Sequence, residues 1–418
     1  MKKPLILIIL SFLTTNLFCQ EGKISDYNIE KAVYYLASEE LQGRLPSSKG
    51  DSLAVDYITD IFKQANLKPL FETFYQEVAF KDMESIAMNS KQAGSKNKFS
   101  RNIVGVLEGS DSILKNEYIV IGAHVDHLGL GSMMGGSRSK ETNKVHYGAD
   151  DNASGVALML DLLKKFSTSP IKTKRSIIFI AFACEEKGLI GSKKFVEELP
   201  FDSKQIVAML NFDMVGKLKN NSIKVGGSRT SKESEKIIKK YTKKNNLKVT
   251  LSPSGIAPSD HASFYAKNIS VFYFTTGADS TYHTQYDTPD KLNYEGMNVV
   301  SSLAFDIAND VANRKNKLRF RRVAETKNKG HMSDVKITLG IMPDVTGSTD
   351  GIKAENVSKG KPADRAGMLN GDIIIELNGK KVTDIYSYMD ALGTLKENQT
   401  YKVKIKREGK TKELKIKL

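Results

Sequence analysis

The chain has 418 residues, of which 40% are hydrophobic and 27% are charged. This length is roughly two to three times that of a common single domain, which predicts a catalytic core with an appended module. The composition excludes a disordered chain, a collagen-like repeat and a polytopic membrane protein. The formal net charge is +15, but the lysines are scattered and no nucleic-acid-binding motif accompanies them. We therefore expect a solvated basic surface and no nucleic-acid partner.

The first 20 residues, MKKPLILIILSFLTTNLFCQ, have the order of a secretory signal peptide. Two lysines precede an apolar run at 5–13 that is too short to span a bilayer. Cleavage beside Cys19 is favoured over lipidation of Cys19, because the residues before it are not small. We predict a signal peptide at 1–19, export to the periplasm or beyond the cell, and no transmembrane segment after the signal is removed. Cys184, within an apolar run, is predicted to be a buried apolar side chain.

Two amphipathic helices are predicted next, at 29–41 and 51–66, because apolar residues recur there at helical spacing. Short apolar runs then alternate with helical patterns. This alternation predicts an α/β domain with a mostly parallel mixed sheet that is covered by helices on both faces. The predicted strands are 103–107, 118–123, 177–183, 207–212 and 269–274, and the predicted helices are 155–166, 188–199, 231–244 and 295–312.

The sequence pattern changes after a basic stretch, RKNKLRFRR, that begins at Arg314. Beyond it the chain has short strands broken by Gly and Asn, with one helical pattern at 385–395. We predict a catalytic domain at 25–313, a basic linker at 314–330 and a small β-rich domain at 331–418. A polyanion-binding arm is the alternative for the linker, although charge runs are usually solvated.

Acidic and histidine side chains gather where the predicted strands end. The carboxyl ends of parallel strands meet at one crevice, so these side chains are expected to converge. They are His124, Asp126 and His127 after the second strand, Asp150 and Asp151 before the next helix, Glu185 and Glu186 after the third strand, Asp213 after the fourth and His283 after the fifth.

Taken singly, each of these residues could be a helix cap or a turn former. As a set at one sheet edge, two histidines and several carboxylates predict a zinc site, with manganese or cobalt as alternatives. Five ligands suit two metal ions. The adjacent pair Glu185 and Glu186 could supply both a ligand and a general base, since neighbouring side chains diverge.

Five motifs, AHVDHLG, HYGADDNASG, FACEEKGLIGS, LNFDMVG and YHTQYDT, occur in this order. They resemble the motifs of the co-catalytic di-zinc exopeptidases of metallopeptidase family 28, which include secreted bacterial aminopeptidases. The resemblance implies two zinc ions bridged by Asp151. One zinc would also bind His124 and Glu186, and the other would bind Asp213 and His283.

The same resemblance implies roles for neighbouring residues. Glu185 would be the general base that deprotonates a bridging zinc-bound water. The Asp126 carboxylate would orient His124, and Tyr282 would stabilise the oxyanion, with aromatic packing as the alternative. The peptide bond between Asp151 and Asn152 would be cis.

The C-terminal segments ITLGIMPD and KPADRAGMLNGDIIIELNGKKV resemble a PDZ domain of the bacterial type. This resemblance implies that Leu339, Gly340 and Ile341 form a loop whose backbone captures the carboxylate of a C-terminal peptide ligand. Gly367 and Gly371 are expected at turns with positive φ. The alternative is a domain that only packs on the catalytic unit.

Together these observations predict an exported zinc-dependent aminopeptidase that acts on peptide or protein substrates. Three alternatives stay open: a glutaminyl cyclase-like enzyme with one zinc, a carboxypeptidase, and a peptide-binding protein led by the PDZ-like domain. The loops at 128–142 and 251–259 are candidates for substrate selection, with plain connectors as the alternative.

Overall fold

The computed structural model describes residues 23–81, 97–132, 135–141, 143–323, 337–343, 351–383 and 385–418. The predicted signal peptide, Cys19 and the second half of the predicted linker lie outside these residues. In the part of the chain that is described, no helix has both the length and the hydropathy needed to cross a bilayer.

A nine-stranded mixed sheet forms the centre of the larger domain. Its strands are β1 (Lys68–Pro69), β2 (Tyr75–Lys81), β3 (Asn97–Leu107), β4 (Tyr118–His124), β5 (Ser176–Phe182), β6 (Ile206–Phe212), β7 (Ser222–Gly226), β8 (Lys248–Leu251) and β9 (Ser270–Thr275). Their order across the sheet is β1-β3-β5-β4-β6-β9-β7-β8, and β2 pairs with β3. The central strands β5, β4, β6 and β9 are parallel, whereas β3 and β7 are antiparallel to their central neighbours. The predicted mixed, mostly parallel sheet is confirmed.

Helices cover both faces of this sheet. They are α1 (Ile29–Leu36), α2 (Lys49–Gln64), α3 (Gly155–Ser167), α4 (Ile190–Glu197), α5 (Ser234–Lys244), α6 (His261–Ala266) and α7 (Tyr294–Asn313). Along β4, Ile119 and Ile121 enter the core beneath α3 and α7, while Val120 enters the core beneath α4 and α6. Because successive side chains of a strand point to opposite faces, a doubly covered strand must be apolar throughout.

The strands that were not predicted lie toward the two sides of the sheet, outside its parallel centre. They are β1, β2, β7 and β8, and none of them carries a long continuous apolar run. In β2 the buried side chains alternate with exposed ones. The predicted helix at 29–41 ends at Leu36, and a short 3₁₀ segment at Glu39–Arg44 follows it.

Hydrogen-bonding side chains mark several helix starts. Asn28 accepts from the backbone N–H of Lys31 at the start of α1, and Ser48 accepts from Asp51 at the start of α2. Each satisfies a backbone N–H that has no partner inside its own helix.

The smaller domain is an antiparallel sheet over its own apolar core. Its elements are β10 (Ile341–Pro343), β11 (Ile352–Val357), α8 (Pro362–Arg365), β12 (Ile373–Leu377), β13 (Lys380–Lys381), α9 (Ile385–Leu392), β14 (Thr400–Arg407) and β15 (Lys410–Lys417). Gly367 and Gly371 have φ of 80° and 91°, as expected. Asn378 and Gly379, also at positive φ, form the tight turn between β12 and β13.

Candidate metal centre

The carboxyl ends of β5, β4, β6 and β9 lie side by side at one edge of the sheet. His124 is the last residue of β4, and Asp213 directly follows β6. Glu185 and Glu186 follow β5 by three and four residues, and His283 lies in the loop after β9. The parallel order of the central strands therefore brings together side chains that are far apart in sequence.

One group of donors forms around His124. Its Nε2 lies 3.3 Å from Asp151 Oδ1 and 3.6 Å from Asp213 Oδ1. Its Nδ1 lies 3.2 Å from the backbone carbonyl of Asp126. A neutral imidazole that donates from Nδ1 to this carbonyl presents the lone pair of Nε2 to the two carboxylates.

A second group forms around His283 in the same way. Its Nε2 lies 3.1 Å from Asp151 Oδ2 and 3.3 Å from Glu186 Oε1. Its Nδ1 lies 3.0 Å from the backbone carbonyl of Gly136. The two oxygens of Asp151 thus face different histidines, which is the arrangement that a bridging ligand requires.

The electrostatic environment of the donor groups around His124 and His283 favours a bound cation. Burial lowers the pKa of His124, but Glu185, Asp151 and Asp213 outweigh it and raise that pKa well above its usual range. Asp213 Oδ1 is buried and accepts no hydrogen bond from the described part of the chain. Imidazole nitrogens and carboxylate oxygens in sets of three are donors that zinc accepts, so the residues fit that ion.

The pairing of ligands differs from the pairing that the family resemblance implied. That expectation grouped His124 with Glu186 and Asp213 with His283, and it is wrong. The structure groups His124 with Asp213, and His283 with Glu186. The loop after β9 is long enough to carry His283 past the end of β6 to Glu186, and it is held there by the bond from Arg138 N to the His283 carbonyl.

The carboxylate of Asp126 contacts other groups than His124, which it was expected to orient. Its carboxylate accepts the backbone N–H groups of Glu185, at 2.9 Å, and of Glu186, at 3.2 Å. Only its backbone carbonyl faces His124. The side chain therefore shapes the turn that presents the two glutamates and does not orient the imidazole. Burial raises the pKa of this carboxylate to about 7.

Glu185 and Glu186 have opposite electrostatic settings although they are adjacent. Burial raises the pKa of Glu185 well above its usual range, and the charge of Glu186 raises it further. Burial also raises the pKa of Glu186, but His283 and His127 outweigh it, so that the pKa of Glu186 falls to about 2. The two adjacent carboxylates therefore differ in proton affinity: Glu186 holds its proton weakly, and Glu185 holds its proton tightly.

Tyr282 lies beside the second group. Its ring stacks on that of His283, with centroids 3.8 Å apart. Burial, together with the charges of Asp151 and Glu186, raises the pKa of Tyr282 well above its usual range. Its hydroxyl group thus stays protonated and is able to donate a hydrogen bond.

The backbone around Asp151 is held by a residue that the sequence analysis did not single out. Asp287 Oδ2 accepts the backbone N–H groups of Asp150 and Asp151, both at 3.0 Å. Asp287 Oδ1 lies 3.3 Å from Lys217 Nζ. The peptide bond between Asp151 and Asn152 is cis, as expected. The available signal was the position of Asp287 within the quoted motif YHTQYDT.

Arg44 is a second residue that the sequence analysis missed. Its fully buried guanidinium donates to the backbone carbonyls of Val125 at 2.8 Å, Tyr147 at 2.8 Å and Gly148 at 2.9 Å. It thereby ties the segment after His124 to the segment before Asp151. Burial lowers its pKa to about 10. The sequence LQGRLPSS around it carries no signal for this role.

Comparison with known proteins identifies the domains. Residues 102–308 match the model of peptidase family M28, and residues 337–418 match the model of the PDZ domain. The chain carries a peptidase family M28 domain followed by a PDZ domain. All five predicted metal ligands, from His124 to His283, fall within the matched part of the peptidase domain.

A probable leucine aminopeptidase of Arthroderma otae is 27% identical over 220 residues, which are 48% of this chain and 54% of that protein. Matches to the curated relatives span 23% to 59% of those proteins' own length.

Two solved structures show the same fold as the peptidase domain. A zinc aminopeptidase from Bacillus subtilis, BSAP, has a TM-score of 0.54 at 15% identity, over 71% of this chain and 97% of that one. A glutaminyl cyclase from Bacteroides thetaiotaomicron has a TM-score of 0.52 at 16% identity, over 67% of this chain and 97% of that one. The fold alone is therefore shared by a peptidase and a cyclase.

The predicted peptide-binding loop of the PDZ domain leads into β10: Leu339 and Gly340 precede the strand, and Ile341 is its first residue. Leu339 is buried and its carbonyl accepts from the backbone N–H of Ala363 at 2.8 Å. Gly340 has a φ of 78°, and a Cβ there would lie 2.1 Å from the side chain of Lys361. Glycine is thus required at the centre of the loop.

Proposed function

We propose that this protein is a zinc-dependent aminopeptidase that hydrolyses the N-terminal residue from peptides. One observation carries the proposal: the two oxygens of Asp151 face two separate histidines, and each histidine also has a further carboxylate beside it. This arrangement supports two metal positions that share one ligand. The name of the Arthroderma otae relative, a probable leucine aminopeptidase, supports the reaction class.

Two zinc ions would be held by two sets of residues that share Asp151. His124 and Asp213 complete one set, and His283 and Glu186 complete the other. Bound zinc acts as a Lewis acid toward a carbonyl oxygen and lowers the pKa of water in contact with it.

Glu185 is the group that accepts the proton of the attacking water and returns a proton to the leaving amine. Its position next to a ligand, and the raised pKa of its carboxylate, support this role. Tyr282 would donate its hydroxyl hydrogen to the oxygen on which negative charge develops. The carboxylates around the site favour a substrate with a free ammonium group over one with a free carboxylate.

The proposal is tested with a panel of chromogenic aminoacyl amides, assayed before and after chelation and again after zinc is restored. We expect activity to disappear with chelation and to return with about two equivalents of zinc. Peptides blocked at the N-terminus should be inert, while peptides blocked at the C-terminus should be cleaved. The reverse pattern would indicate a carboxypeptidase.

The main rival is glutaminyl cyclisation, since an enzyme of that kind shares the fold. A peptide with N-terminal Gln separates the two reactions, because a cyclase releases ammonia and leaves the peptide intact. A single bound zinc would favour the cyclase. The two donor sets around Asp151 favour the peptidase.

Two further roles are proposed, one for the PDZ domain and one for the first 19 residues. The PDZ domain would bind the C-terminal carboxylate of a peptide through the loop of Leu339, Gly340 and Ile341. The first 19 residues would direct export and then be removed. Mass spectrometry of the mature N-terminus tests the second role.

A further inference from the structure

His127 lies beside the metal centre, but neither the fold nor the reaction proposed above gives it a task. It follows His124 by three residues, and its imidazole is fully buried. Its Nδ1 lies 2.9 Å from Glu186 Oε1 and 3.8 Å from Asp151 Oδ2. These are the same two oxygens that face His283.

The four distances between the histidine nitrogens and the carboxylate oxygens are close to the ligand spacing in one coordination sphere. Tetrahedral ligands of zinc, at bond lengths of about 2.0–2.1 Å, are separated from each other by about 3.3 Å. The distances from the two histidines to the two carboxylate oxygens are 2.9, 3.1, 3.3 and 3.8 Å, which lie on both sides of this value. His127, Asp151 and Glu186 by themselves already form a group able to hold a metal ion.

The other nitrogen of the His127 ring, Nε2, makes no such polar contact. It is buried and has no hydrogen-bond partner among the residues that the structure describes. The ring packs against Gly148, where a Cβ would lie 2.6 Å from the imidazole. Polar interactions on the Nδ1 side therefore determine the orientation of the ring, and that side faces two carboxylates.

We infer that His127 is a fourth protein ligand of the zinc held by Asp151, Glu186 and His283, so that the two metal positions are unequal. The position of His283 then has four protein ligands, which is the closed arrangement of structural zinc sites. The position of His124 has three protein ligands, with Asp151 and Asp213, and keeps an open site for water or substrate. This inference rests on the metal centre proposed above.

The unequal positions predict stepwise zinc binding. The closed position fills first and empties last when a chelator is added. The open position exchanges its zinc more readily and governs hydrolysis of the substrate.

The test is zinc titration by calorimetry of the metal-free full-length protein, for wild type, His127→Asn and His146→Asn. The asparagine amide at 127 can still donate a hydrogen bond to Glu186 but is a poor zinc ligand. His146, a buried histidine that bonds to Ser137 outside the donor groups, controls for the loss of a buried imidazole. We expect His127→Asn to weaken the tighter zinc by more than 100-fold, beyond the roughly 10–100-fold expected for loss of an orienting hydrogen bond. His146→Asn should retain both affinities.

A crystal structure of the zinc-loaded wild type tests the inference even if the variant fails to fold. We expect a bond of about 2.0–2.1 Å between His127 Nδ1 and zinc. Wild-type affinities in a folded His127→Asn protein, or a separation in the crystal well beyond bonding distance, would overturn the fourth ligand alone. If the wild type binds no zinc, the proposed metal centre itself fails.

Discussion

Asp372 of the PDZ domain and Asp213 of the peptidase domain are both buried, with 1% and 5% of their surface exposed. Arg407 donates to both oxygens of Asp372, at 2.7 and 2.6 Å, and the backbone N–H of Leu369 adds a third bond. Within the described residues, Asp213 Oδ1 accepts no hydrogen bond. Burying a charge is costly unless it is paired. The PDZ domain thus supplies the partner of its buried carboxylate, whereas the place beside Asp213 Oδ1 suits the cation proposed above.

The largest effect is expected from Glu185→Gln in the peptidase domain. The amide cannot accept a proton, so hydrolysis of aminoacyl amides should fall by about 10²–10⁴-fold. The metal ligands are unchanged, so zinc content measured by mass spectrometry should match the wild type. Retained hydrolysis would exclude Glu185 as the base, and loss of zinc would mean that the charge of Glu185 is itself needed to hold the ions.

A smaller effect is expected from Asp287→Asn. The amide keeps an oxygen toward Asp150 and Asp151 but loses the charge beside Lys217. Because supporting residues of metal ligands affect affinity, zinc binding should weaken by about 10–100-fold. The matched control is Asp279→Asn, since Asp279 also pairs with Lys217, whereas the backbone N–H groups of Asp150 and Asp151 donate to Asp287. Equal effects of both substitutions in a zinc titration would mean that Lys217, and not the backbone contact, determines the affinity.

In the PDZ domain, Arg407→Leu should reduce stability and leave the metal centre unaffected. Asp372 would lose two charge-assisted hydrogen bonds, a cost of about 1–3 kcal/mol. Calorimetric unfolding of the full chain measures this loss, and zinc content should not change. Lys402→Leu is the control, because the pair of Lys402 with Glu413 is exposed and such pairs contribute little. A loss of zinc in Arg407→Leu would contradict the expectation that the metal centre is independent of the stability of the PDZ domain.

A pH dependence of opposite sign is also expected in the two domains. Burial raises the pKa of Asp51, on α2 of the peptidase domain, to about 6. The folded state then binds this proton more tightly than the unfolded state does, so stability falls as pH rises from about 4 to 6. Burial also raises the pKa of Asp372, but Arg407 and the N–H of Leu369 outweigh it and lower that pKa. The stability that Asp372 contributes is therefore lost as pH falls below about 4.

Unfolding followed between pH 3 and 7 would reveal both trends. Asp51→Asn should flatten the curve of the peptidase domain between pH 4 and 6, by on the order of 3 kcal/mol at most. The PDZ transition should be unaffected by that change. If the stabilities of the two wild-type domains changed with pH in the same direction, that result would contradict the different pairing of Asp51 and Asp372.

The sequence predicted the central part of the peptidase domain well because its strands are buried on both faces. Strand β4 was expected at 118–123 and is found at Tyr118–His124, and helix α3 was expected at 155–166 and is found at Gly155–Ser167. Edge strands such as β2 and β8 were missed. Their alternating polar residues resemble loops when only one strand is considered.

The residues of the candidate metal centre were predicted from where strands end, but their grouping was not. The position of a residue at the end of a strand determines which edge of the sheet its side chain reaches. It does not determine which other side chains at that edge the residue contacts. His283 reaches Glu186 through a loop whose path depends on contacts with Gly136 and Arg138. The expected pairing failed for this reason.

The sequence alone determined the α/β architecture, the PDZ domain and the edge at which the charged side chains meet, because hydrophobic periodicity and strand order are local or repetitive signals. Only the tertiary structure decided that Asp151 faces two histidines, that Arg44 and Asp287 hold the surrounding backbone, and that His127 turns toward Glu186. These contacts join segments up to 137 residues apart, and their geometry depends on packing that no short stretch of sequence encodes.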